Sequence, residues 1–146
     1  MSTPSSTDAA GGRMEMRLAA ILCALGALTV AVPYLGHAIG LGVNVDAKLE
    51  IVDHVVPGTL VAAIGGSLFL LVRRGQPVAE WVMQVGSGIC FLAGIWVLAT
   101  HVPLLADAAG GSAHWGAALW HASTALPVVV ISLWYVLRGP AGPDQI

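Results

Sequence analysis

Residues 53–74 read DHVVPGTLVAAIGGSLFLLVRR. An acid opens the stretch, two arginines close it, and the 19 residues between Asp53 and Arg73 carry no charge. A helix rises about 1.5 Å per residue, so roughly 20 apolar residues cross the hydrocarbon core of a bilayer. Three further runs meet the same criterion. Twenty-eight uncharged residues lie between Arg17 and Asp46, 26 between Glu80 and Asp107, and 30 between Asp107 and Arg138. Four such runs use up most of a 146-residue chain.

The composition agrees. Charged residues make up 10% and hydrophobic residues 57% of the chain, with a mean hydropathy of +0.83. Soluble domains carry about 25% charge. A soluble enzyme and a disordered protein are excluded on these grounds. The net charge of -2 leaves no basic patch for nucleic acid. The expected fold is all-α: an integral membrane four-helix up-down bundle, with helices over about 18–40, 50–72, 78–105 and 113–137. These form one transmembrane domain over 17–138. Residues 1–16, rich in Ser, Thr, Pro and Gly, are expected to be a disordered cytoplasmic tail, and 139–146 a short cytoplasmic one. The first apolar run exceeds the 7–15 residues of a signal-peptide core, which favours a retained helix over a cleaved one.

Orientation follows from the basic residues. Arg13, Arg17, Arg73, Arg74 and Arg138 flank one side of the four runs, and only Lys48 the other. The positive-inside rule places both termini in the cytoplasm and predicts a multi-pass protein of the plasma membrane. Lipid tails are as apolar as Leu, so helix association must come from close packing of small residues. Gly86, Cys90 and Gly94 form such a stripe on the third helix, and Gly58, Ala62, Gly65 and Gly66 supply another on the second. Neither Cys23 nor Cys90 has a neighbouring ligand, and both read as small apolar residues. Each run also holds a proline. Pro57 and Pro103 lie near helix ends, whereas Pro33 and Pro127 lie deeper and predict kinks where they free the carbonyls of Thr29 and Ser123.

All five histidines fall on the outer side in this topology: His37, His54, His101, His114 and His121. Four acids join them, Asp46, Glu50, Asp53 and Asp107. Glu50 and His54 are i, i+4 and share a helix face. Diagonal helices of the bundle offer two cross-bundle pairs, His54 with His121 and His37 with His101. Two imidazoles at similar depth suit haem b, one on each side of the iron. A transition metal instead needs three or four converging ligands, for which His54, His121, Glu50 and Asp53 are the candidates. A third chemistry uses no metal: Asp53 and His54 titrate and pass protons, since ionisable residues within a membrane are costly to bury. Interfacial histidines are also simply solvated, or tie helices together by hydrogen bonds. No CxxCH, HExxH or GxSxG motif is present, and no catalytic residue is nominated.

Three functions are therefore open. The foremost expectation is an accessory or structural subunit, in contact with the lipid bilayer and in a homo-oligomer or a larger membrane complex. The alternatives are a haem- or metal-binding protein for electron transfer or cofactor handling, and a proton-coupled transporter component.

Overall fold

The computed structural model describes residues 6–40, 51–75, 78–109 and 115–138. Among these residues every regular element is helical and none is a strand. We number the helices α1 (Ser6–Ala38), α2 (Val56–Arg73), α3 (Glu80–Thr100), α4 (Val102–Ala109), α5 (Trp115–Ala122) and α6 (Ala125–Arg138). A π-helical turn, Ile51–Val55, leads into α2. Three segments are long and apolar enough to cross a membrane: Met14–Gly36, Ile51–Arg73 and Glu80–Thr100. A shorter apolar helix, Ala125–Arg138, accompanies them. These are the lengths and compositions of a multi-pass membrane protein.

Prolines decide where the helices are interrupted. The segment expected as one helix over 78–105 ends at Thr100, turns at His101 and resumes at Val102. Pro103 has no N–H to return to the carbonyl four residues back, and its ring crowds that carbonyl. The segment expected over 113–137 breaks in the same way at Ser123 and Thr124, ahead of Pro127. There the Ser123 hydroxyl donates to the Trp120 carbonyl at 2.7 Å, and the ladder restarts with Val128 N–H to the Thr124 carbonyl at 3.4 Å. Ahead of Pro57 the helix widens into the π turn instead of breaking. Pro33 is fully buried, and α1 continues through it to Ala38. At its other end α1 starts at Ser6 and not near residue 18. Extending an existing helix gains a hydrogen bond per residue.

Small residues bring α1 and α2 into the most extensive contact among the described residues. A Cβ built on Gly26 would meet the backbone N of Ala62, and lie 2.7 Å from the Gly58 carbonyl oxygen. One on Gly58 would lie 2.8 Å from the Gly26 carbonyl oxygen. Only hydrogen fits there, so the two backbones touch. The α3 and α6 helices form the second close pair, with Gly94 opposite Ala125, Val128 and Val129. Contact between α2 and α3 is looser. The interior contains Leu22, Met83, Cys90, Val97 and Val128. Large apolar side chains such as Leu92, Trp81 and Leu137 point outward, with 65, 67 and 74% of their surface exposed. That polarity is the reverse of a soluble bundle's exterior and suits a lipid surrounding.

Candidate functional site

The interior is not wholly apolar. Thr29, His54, Ser87, His101, Thr124 and Ser132 are all buried. On α1, Thr29 is held by a local contact: its Oγ1 lies 2.9 Å from the Leu25 carbonyl oxygen. The same Oγ1 lies 3.1 Å from Thr124 Oγ1. A hydroxyl has one proton, so when Thr29 donates to Leu25 it is Thr124 that donates across the helices. Nearby, the Trp120 indole N–H donates to the Val32 carbonyl at 2.8 Å, tying α5 to α1.

The two buried histidines meet. His54 Nε2 lies 3.1 Å from His101 Nε2, and the rings sit edge to face, with centroids 4.8 Å apart and planes at 78°. His54 is 2% exposed and His101 7%. Local backbone explains the placement. His54 sits in the π turn ahead of Pro57, and π turns reset the face on which the following side chains fall. His101 caps the end of α3 ahead of Pro103.

The surrounding contacts assign the protons. His101 Nδ1 lies 2.7 Å from the Val97 carbonyl oxygen, which only accepts, so Nδ1 carries the hydrogen. Thr100 Oγ1, itself donating to Val97 at 2.9 Å, lies 3.3 Å from the same nitrogen. In the neutral ring, His101 Nε2 is then a lone pair. The short contact requires that His54 Nε2 donates to it. With both rings neutral, the pair is a directed hydrogen bond from His54 to His101. Asp53, one residue before His54, is half-buried and within electrostatic reach of His101.

This pairing differs from both that were expected. It joins His54 to His101 across the loosely packed α2 and α3, and not His54 to His121 or His37 to His101 across diagonals. The direct nitrogen contact leaves no slot for a haem between these two rings. Of His37 and His121 only the backbone positions, on α1 and α5, are described. Glu50, Asp46 and His114 lie outside the described residues. Among the described residues no three His, Cys, Asp or Glu side chains gather closely enough to hold a metal ion. His54 and Asp53, the described members of the expected metal set, remain adjacent in sequence without converging on a third ligand.

Sequence reasoning missed the Thr29–Thr124 contact and the His54–His101 partnership. A signal was available. Thr29, His54, His101 and Thr124 each precede a proline, by four, three, two and three residues. Prolines loosen the helical ladder where these polar side chains turn inward. A comparison with known proteins adds no further constraint: the chain matches no family model, no curated protein and no solved structure.

Proposed function

We propose that this chain is a four-helix up-down bundle of the plasma membrane, both termini cytoplasmic, in which the buried His54–His101 pair takes up a proton and passes it on near the outer face. The pairing of Gly26 with Gly58, of Thr29 with Thr124 and of His54 with His101 supports alternating helix directions. The excess of arginine on one side supports the orientation.

One observation carries the functional reading: the directed Nε2–Nε2 contact of 3.1 Å between two buried rings, with His101 Nδ1 anchored to Val97. A proton added at His54 Nδ1 allows the Nε2 proton to move to His101 Nε2. His54 returns to neutrality as the Nδ1–H tautomer, and His101 becomes the imidazolium, donating from both nitrogens. One proton enters at one ring and the charge appears on the other. The carboxylate of Asp53 offsets that charge through space. Ionisable residues in a membrane are expensive, and a purely packing role would be met at lower cost by apolar side chains.

The test is proton flux in liposomes loaded with a pH-sensitive dye. Flux above protein-free vesicles is expected for the natural chain, and its loss in both His54→Gln and His101→Gln. Flux unchanged in these variants, or none in the natural chain, overturns the reading.

A second reading, an accessory or structural subunit of a larger membrane complex, is favoured by a different observation. Open apolar grooves run along α2 and α3, one of about 300 Å³ and one of about 410 Å³. On that reading the histidine pair is an interhelical tie. The flux measurement separates the two.

A further inference from the structure

The looser packing of α2 against α3 leaves a surface feature that the histidine pair does not use. A groove of about 410 Å³ lies between the C-terminal half of α2 and the N-terminal half of α3. Its walls include Ala63, Ile64, Leu71, Val85, Gly86 and Ile89. Ile89 also lines the second groove of about 300 Å³, which continues toward Val52 and Trp96. Together they form an apolar furrow along much of the spanning length of the two helices. Small residues on both walls, Ala63 and Gly86 in one half and Pro57 and Ala93 in the other, leave it open.

The two ends of the furrow differ in charge. Ser67 and Leu71 line the wall of α2, and Arg74 follows them at i+7 and i+3 on the same helical face. Its backbone N–H still bonds the Leu70 and Leu71 carbonyls, so this register holds to the helix end. Arg73 stands beside it, and both are exposed. Across the mouth, α3 begins at Glu80, and Trp81 lines the rim with 67% of its surface exposed. The N-terminus of this 21-residue helix adds a partial positive charge. Glu80 is the nearby acid. It stands about 100° round α3 from Trp81 and interacts electrostatically with Glu15 and Tyr135. At the other end the furrow approaches an acid, Asp53, beside its lining residue Val52.

From this we infer that the α2/α3 furrow is a binding site for one anionic phospholipid, its phosphate on Arg73 and Arg74 and an acyl chain along Ile64, Leu71, Gly86 and Ile89. The chain fits because the walls are apolar and the furrow runs along the helix axes. The sign of the headgroup follows from the two arginines, and its end of the furrow from the contrast with Asp53. Trp81 sits where an indole favours the headgroup boundary.

Native mass spectrometry of the full chain, released from nanodiscs of phosphatidylglycerol or of phosphatidylcholine, tests this. One retained phosphatidylglycerol per chain is expected, with phosphatidylcholine lost. Two neutralised arginines, Arg73→Gln with Arg74→Gln, should weaken retention roughly thirtyfold. Ala63→Phe and Ile89→Trp fill the groove, leave both charges in place, and should abolish retention. Leu126→Phe, on an exposed position of α6, should change nothing. A variant that loses its helical signal or its monodisperse profile is replaced in the comparison by the other groove-filling one. Equal retention of both lipids overturns the site. So does phosphatidylglycerol held undiminished by the folded groove-filling variants, which would mark a diffuse charge attraction. Full displacement by free glycerol phosphate would mean that the acyl chain is not bound, and also overturns it.

Discussion

Thr29 and Thr124 meet hydroxyl to hydroxyl at 3.1 Å in the interior, one on α1 and the other in the break before α6. Each stands just upstream of a proline, Pro33 and Pro127. The contact locks the start of α6 against the middle of α1, at the point where the chain's last apolar segment is interrupted. Interhelical hydrogen bonds in membranes contribute about 0.6 kcal/mol on average, because the unfolded chain in the bilayer also finds partners. Thr29→Val and Thr124→Val are each expected to destabilise by about that amount. The double variant should cost less than the sum of the two. Reversible unfolding in mixed micelles, arranged as a double-mutant cycle, reads the coupling directly. Strict additivity would mean that the two hydroxyls do not interact.

The glycines of α1 and α2 act at closer range. At Gly26 and Gly65 an added Cβ would run into backbone atoms of the facing helix, Ala62 and Cys23 respectively, and backbone cannot swing aside. Gly26→Val or Gly65→Val should therefore force the helices apart, at a cost of about 1–3 kcal/mol. Gly88 is the control. Nothing lies within 4 Å of a Cβ built there, so Gly88→Ala should be neutral or stabilise by about 0.4–1 kcal/mol. The same unfolding measurement compares all three. An equal penalty at Gly88 would contradict the packing described.

The two cysteines differ in access. Cys90 is fully buried between helices, with 0% exposed, whereas Cys23 is half-buried. Cys23 should react first with a small maleimide in mild detergent, and Cys90 only when the bundle is unfolded. Mass spectrometry of Cys23→Ser and Cys90→Ser variants counts the adducts. Prompt labelling of Cys90 in the folded protein would show that the α3 face carrying it is open.

Much of this was legible in the sequence. Charge-free runs such as 54–72 mark spanning helices because a buried charge is so costly, and the structure returns three segments that meet the same physical test. The glycine stripes marked surfaces of close approach, although the tightest contact uses Gly26, Gly58 and Gly65 and not the stripe of α3 alone. His54 was a candidate for haem, metal and proton chemistry alike, and it is buried. Its partner was not legible. Helical periodicity places side chains on faces of regular helices, but His54 lies in a π turn and His101 at a helix end. Both irregularities rotate the ring away from the direction that a 3.6-residue period assigns. The break at Ser123 and Thr124 was foreshadowed by Pro127. At Pro33 α1 stays unbroken, within the single helix expected over 18–40, since whether a proline bends or breaks a helix depends on the neighbours that hold it.

Imidazole ¹⁵N spectra of the histidine-labelled protein in bilayers read the protons of the His54–His101 pair, with His54→Gln and His101→Gln used for assignment. Two neutral rings of opposite tautomer are expected, His101 protonated at Nδ1 and His54 at Nε2, with a measurable coupling across the Nε2–H···Nε2 bond. On acidification the pair should take up a single proton and keep the coupling, His54 changing to the Nδ1–H tautomer. Two rings of the same tautomer without coupling, titrating independently with a full proton each, would contradict this pairing.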